Sequence, residues 1–285
     1  MSEISLYMSC DVSRILRIQK GYPFIAELLV RYLALVYKFA VLFWVRRMGV
    51  IVLGHSGFKS VYPENTIIAF ERAIKAGADG IEFDVWLTKD GKLVTLHDGK
   101  FRTNGEVYCI KELSLKGLRK LHPYGKFIPT VDELFERFPN SIFNIDVKDK
   151  EAVKPLLKLA EEFDSFDRLI FSSPSPEMLK LIRKHSKEAK LGFSIVTETG
   201  VAKVALLKRN LKLYSLHVPL DGISYVGFPM FVALLKWARG LGIKVFMWNY
   251  EMDELFWLPR LKGLYDGIIA DNAVKVLNLV ELGVL

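Results

Sequence analysis

From residue 50 onward, short runs rich in β-branched and aromatic residues alternate with segments of helical period, and this alternation narrows the fold more than any other feature. VIVLG (50–54) reads as a buried strand, and PENTIIAFERAIKAGA (63–78) as a helix with Pro63 and Glu64 at its entrance. DGIEFDVWLT (79–88) and KLVTLHD (92–98) read as strands either side of Lys89–Asp90–Gly91. TVDELFERF (130–138) reads as a helix. SIFNIDVK, RLIFSS, KLGFSI, LKLYSLHV, IKVFMWNY and YDGIIAD (265–271) then follow as strands, mostly with helices between them. Such alternation implies a parallel sheet covered by helices. Eight βα units closing on themselves are the commonest use of this length, so the expected fold is α/β, an irregular TIM-type (β/α)8 barrel. The irregularities are one strand too many, a β–β junction at Asp90–Gly91, and residues 99–129, expected as a short insertion after the third strand.

Ahead of the barrel, at 48–285, lies an extension over residues 1–47 with a hydrophobic helix. Its segment PFIAELLVRYLALVYKFAVLFWVRR (23–47) is apolar over about membrane-spanning length. Glu27, Arg31 and Lys38 share one narrow helical stripe, and each charge near mid-membrane costs about 2.5–3.5 kcal/mol on insertion scales. The expectation is a cytoplasmic protein with membrane association through residues 23–47, set against a start of translation at Met48. The net charge of +8 favours an acidic partner, but no basic run with interleaved aromatics appears, which argues against nucleic acid. Cys10 and Cys109 are too few for a disulfide framework or a metal knot and read as reduced thiols.

The chemistry concentrates in one expected hairpin. With Asp90–Gly91 as a two-residue loop, Asp84 lies directly opposite His97, and Glu82 shares the face of Asp84. Ile81, Phe83, Val85 and Leu87 then form the buried opposite face. Two acids in a strand that hides its other face are costly unless a cation meets them. A divalent metal is the economical answer; oxygen ligands select Mg²⁺ or Ca²⁺, with Mn²⁺ a further candidate. Asp146, near the end of another strand with Lys148 two residues on, is a third acid. His55 follows the first strand, between Gly54 and Ser56. Together these groups are equipment for metal-assisted phosphoryl or acyl chemistry. Taken singly they have plainer readings: His55 as a loop histidine, His97–Asp98 as a hydrogen-bonded turn, Asp146–Lys148 as an ion pair.

HSG, PENT, GADGIEFDVWLTKDG, LVTLHD, RTNG, NIDVK, VFMWN and DGIIAD resemble, in order and spacing, the glycerophosphodiester phosphodiesterase family, from about Val50 to Asp271. The resemblance implies a TIM-type barrel and hydrolysis of a small-molecule phosphodiester to glycerol 3-phosphate and an alcohol. It implies His55 and His97 as the acid/base pair, Glu82, Asp84 and Asp146 as metal ligands, and Lys148 as a neutraliser of the phosphate. Glu64, Asn65 and Trp248 match positions lining the family site. Two positions depart from the pattern. Ser56 stands where the family has a phosphate-gripping arginine, and Asp146 where it has a glutamate. Ser56 can give the phosphate one neutral hydrogen bond, so the remaining cations are the metal, Lys148 and Lys59. The alternatives are a lysophospholipase D-like activity on single-chain lipids, or a binding protein that lost catalysis with the arginine.

Overall fold

Residues 49–285 and Tyr32 are described by a computed structural model. The expected extension over residues 1–47, with its helix and membrane association, lies outside the described residues except for Tyr32. The order of elements is β1 (Ile51–His55), α1 (Ile67–Lys75), β2 (Gly80–Leu87), β3 (Leu93–Thr95), β4 (Lys100–Thr103), β5 (Glu106–Cys109), α2 (Leu115–Leu121) and α3 (Val131–Arg137). Then come β6 (Ile142–Val147), α4 (Val153–Glu162), β7 (Leu169–Ser173), α5 (Pro176–His185), β8 (Lys190–Ser194), α6 (Glu198–Leu211) and β9 (Ser215–Pro219). The chain ends with α7 (Gly222–Val226), α8 (Phe228–Gly240), β10 (Lys244–Trp248), α9 (Glu254–Trp257), β11 (Gly267–Ala270) and α10 (Ala273–Glu281).

Eight of these strands pair in parallel in the order β1, β2, β6, β7, β8, β9, β10, β11, and β11 returns to β1, which closes the barrel. The supernumerary strand is β3. It pairs antiparallel with the upper half of β2, on the edge that β1 occupies lower down. Strand alternation sends Ile81, Phe83 and Val85 outward to the helices and Glu82 and Asp84 inward. The outward face packs as an aromatic cluster, with Phe83 edge-on to Phe143 and Phe143 stacked on Phe135 at 5.8 and 5.2 Å between ring centroids. Below the mouth the barrel is plugged by Leu53, Ile170, Phe246 and Ile269. Glycines make room in the wall: a Cβ on Gly192 would come within 2.7 Å of the His217 ring.

Two expectations need correction, and a third gains detail. The hairpin loop has three residues, because Gly91 takes φ +76° and Thr88 N–H bonds Lys92. Pairing therefore shifts by one: Val85 faces Thr95, and Asp84 lies beside Leu96 rather than His97. The first helix begins at Ile67, not at Pro63, because Thr66 caps it by accepting from Ala69 N–H, and Asn65 just before is left-handed at φ +55°. The insertion over residues 99–129 contains an unforeseen hairpin, β4–β5, turned by Asn104 and Gly105 at φ +50° and +83°. It packs on a small core of Val94, Leu96, Ile110, Leu118 and Ile128, and Lys111 ties it to Asp149 at 2.7 Å.

Gly80 opens β2 where the backbone of β6 crosses closest, and a Cβ there would collide with the Ile142 carbonyl. Gly80→Ala is expected to lower the unfolding free energy by about 1–3 kcal/mol, measured by urea denaturation.

Candidate active site

Parallel strands deliver their C-terminal ends to one rim, and that is where the polar residues gather. His55 ends β1, Glu82 and Asp84 stand on β2, Asp146 and Lys148 on and just past β6, and Trp248 ends β10. Together with His97 they line a cleft of about 120 Å³. His97 enters it although the expected register fails. Strand β3 stops at Thr95, so the following residues leave the sheet, and the Trp86 indole N–H bonds the His97 carbonyl at 3.3 Å.

The β1–α1 loop is built on two successive left-handed residues, Ser56 at φ +47° and Gly57 at φ +88°. Gly57 is required, since a Cβ would sit 2.6 Å from the Ala69 carbonyl carbon. The turn points the Ser56 N–H at Glu82 Oε2 (3.0 Å) and buries the Ser56 hydroxyl, which accepts from Asn65 Nδ2 at 3.4 Å. Ser56 therefore sits behind the cleft and does not line it. Asn65 is fully buried and brackets Asp84, donating from Nδ2 to Asp84 Oδ2 (2.9 Å) and accepting Asp84 N–H on Oδ1 (3.3 Å). Glu64 is exposed and does not line the cleft either.

His55 is oriented by a residue that the sequence did not single out. Its Nδ1 donates to Asp271 Oδ1 at 2.6 Å, which leaves Nε2 on the side of Glu82, 4.0 Å from Oε2. Burial works against the Asp271 charge, but His55 and Lys59 overcome it and hold the carboxyl below its usual range. Lys59, expected as a spare cation for phosphate, is engaged with Asp271 at 3.1 Å. His97 Nδ1 lies 3.0 Å from Asp98 Oδ1, and its side chain is 57% exposed, open to an incoming ligand. A third histidine, His217, lies on the cleft floor against Ser194 and Ser215, and burial drops its imidazole to about 3. It is a neutral hydrogen-bonding group there. The available signals were a polar residue inside the strand LKLYSLHV, and an acid ending DGIIAD for Asp271.

The Lys148 ammonium lies between two acids, 3.0 Å from Asp84 Oδ1 and 2.7 Å from Asp146 Oδ2. Burial opposes its charge, but Asp146 and Asp84 more than compensate, and its pKa stands well above the ordinary lysine range. Burial, then the charges of Asp84 and Asp146, push the Glu82 carboxyl well up; burial likewise raises Asp146, with Lys148 opposing. Two buried carboxylates, Glu82 and Asp84, and the half-buried Asp146 thus gather around one lysine. The donor set suits a hard divalent cation, and Asp146 Oδ1 is buried without a hydrogen-bond partner. Among the described residues no three such groups already stand at ligand spacing for one ion, because Lys148 occupies the space between Asp84 and Asp146.

A parallel barrel that gathers two histidines and three acids at its C-terminal rim has the equipment of a hydrolase of anionic esters. The chain is a member of the Glycerophosphoryl diester phosphodiesterase family, whose match spans residues 55–275. It is 34% identical over 253 residues to a glycerophosphodiester phosphodiesterase of Caldanaerobacter subterraneus subsp. tengcongensis, covering 83% of this chain and 100% of the relative. The crystal structure of the Thermotoga maritima glycerophosphodiester phosphodiesterase superposes with a TM-score of 0.69 at 33% identity, over 81% of this chain and 98% of that one. A human lysophospholipase D is 28% identical over 160 residues, 50% of this chain and 51% of the relative. The protein is thus an enzyme, a glycerophosphodiester phosphodiesterase.

Removing Lys148 leaves its acids uncompensated. Lys148→Met is expected to cost about 3 kcal/mol of unfolding free energy at alkaline pH. The loss should shrink as pH falls, because Glu82 and Asp146, with raised folded-state pKa values, take up protons in the folded state first. Urea titrations at two pH values check both parts.

Proposed function

We propose that the cleft hydrolyses glycerophosphodiesters to glycerol 3-phosphate and an alcohol by two-histidine acid–base chemistry, with a divalent metal held by Glu82, Asp84 and Asp146. The observation that carries this reading is His55, fixed by Asp271 with Nε2 on the side of Glu82, sharing one cleft with His97 and the acid cluster. When bound, Mg²⁺, Ca²⁺ or Mn²⁺ supplies the positive charge that draws in phosphate oxygens and stabilises charge developing on them. The residues of the chain do the rest. One histidine accepts the proton of the glycerol 2-hydroxyl as that oxygen bonds to phosphorus; the other gives a proton to the alcohol oxygen as its bond to phosphorus breaks. Water then opens the resulting cyclic phosphate with the proton transfers reversed. Lys148 neutralises the phosphate from the side of Asp146. Asn144 Oδ1 and the Trp248 indole N–H, both buried without partners in residues lining the cleft, offer an acceptor and a donor to glycerol hydroxyls.

A second reading has its own observation. A mostly apolar groove of about 630 Å³, walled by Val201, Val218, Phe231 and Leu234, shares Val196 and Tyr250 with the cleft. Such a groove suits the acyl chain of a single-chain lipid, a lysophospholipase D-like use of the same site. A binding role without catalysis is weaker, since every other site position retains a chemically competent residue.

Release of glycerol 3-phosphate from glycerophosphocholine is expected to require a divalent cation. His55→Ala and His97→Ala should each lower kcat by about 10²–10⁴-fold with circular dichroism unchanged. A His97→Ala enzyme at wild-type rate would sink the two-histidine scheme. For the lipid reading, kcat/KM should climb with acyl length, by up to about 0.8 kcal/mol per added methylene buried in the groove. A flat chain-length profile would leave soluble diesters as the substrate class.

A further inference from the structure

Glu254 opens the short helix α9, is 6% exposed and is not among the residues that line the cleft. Both of its oxygens are occupied on the turn between β11 and α10. Oε2 accepts the Asp271 N–H at 3.3 Å, and Oε1 accepts the Asn272 N–H at 3.1 Å. The same peptide is gripped from the other side, where the Asp271 carbonyl accepts the Ser60 N–H at 3.3 Å. The Asp271 side chain in turn receives His55 Nδ1 at 2.6 Å and Lys59 Nζ at 3.1 Å. A buried carboxylate is costly to keep, and a capping serine or asparagine would serve a helix start at lower cost.

We propose that Glu254 is a positioning residue for catalysis: its carboxylate fixes the main chain of Asp271, and through it the ring of His55. The proposal rests on the phosphodiesterase reading for its kinetic consequence. A misplacement of about 1 Å at a reacting group costs about 10²-fold, so a peptide joined to the imidazole by one short side chain and one hydrogen bond is worth clamping. The groups facing Glu254 are Asp271 and Asn272 on the β11–α10 turn and Lys59 on the β1–α1 loop, with His55 behind Asp271. Burial, with the Asp271 charge adding, pushes the Glu254 carboxyl up to about 7; the Asn272 and Asp271 N–H groups and Lys59 pull the other way. Above that pH both oxygens accept. Below it one oxygen carries a proton, one of the two N–H groups loses a good acceptor, and the hold on Asp271 loosens. Glu254→Gln reproduces the protonated state at every pH, with one accepting oxygen and one NH₂ turned towards a donor.

The full chain is assayed with glycerophosphocholine and Mg²⁺ between about pH 5.5 and 8.5, as wild type, Glu254→Gln and Asp271→Asn. The wild-type to Glu254→Gln ratio of kcat should be about one at the acid end and rise to about ten above neutrality, with KM little changed. Asp271→Asn should be impaired at every pH. The imidazole ¹⁵N spectrum, with His55 assigned from His55→Gln, gives a readout independent of turnover. The His55 Nδ1–H tautomer should dominate in the wild type at alkaline pH and lose population in Glu254→Gln. A pH-independent kcat ratio, or a wild-type His55 spectrum in Glu254→Gln, overturns the proposal. If the wild type turns over no diester with any metal, the functional reading fails instead, and the imidazole spectrum still decides the role of Glu254.

Discussion

The contact between the Lys148 ammonium and the carboxylates of Asp84 and Asp146 is the one on which the barrel mouth depends. Three acids point into a space that water barely reaches, and one lysine cannot balance them. The remainder is negative and would repel a phosphate diester, while burial first, and for Glu82 the charges of Asp84 and Asp146 as well, holds Glu82 and Asp146 above their ordinary pKa range. A divalent cation held there would reverse both effects, stabilising the ionised acids and giving the substrate something to approach. The fold creates this need by driving a strand with acids on its inner face between two buried neighbours, β1 and β6.

The surrounding backbone keeps the acids where a cation can use them. The left-handed pair Ser56–Gly57 aims a main-chain N–H at Glu82, and Asn65, itself left-handed, holds Asp84 by two hydrogen bonds. This gives the PENT segment a physical reason: its asparagine is a bracket, while Glu64 faces solvent. It also bears on the arginine that Ser56 replaces. The Ser56 hydroxyl is turned back onto Asn65, and Lys59 is taken up by Asp271, so on the proposed reading positive charge for a phosphate comes from Lys148 and a bound cation.

Much of this was legible in the chain. The alternation of segments gave the barrel, and period two in IEFDVWL separated an apolar outer face from Glu82 and Asp84. The hairpin register was not legible, because Asp90–Gly91 fits a two-residue loop and a three-residue loop with glycine in the left-handed position equally well. His97 reached the cleft by the early end of β3 instead. Asp271 and Glu254 were invisible for a different reason. Their roles exist only once β11 closes against β1 across 216 residues of sequence, which no local pattern encodes. Asn65 was matched to the site by its motif, but its buried, left-handed conformation belongs to the turn and not to the helix expected there.

On the proposed reading a bound cation converts this acid cluster into a phosphate site. The most direct measurement is calorimetric binding of glycerol 3-phosphate to the full chain, in chelator and with saturating Mg²⁺, Ca²⁺ or Mn²⁺. Binding is expected only with a cation present. Equal affinity for glycerol 3-phosphate in chelator and in metal would contradict it.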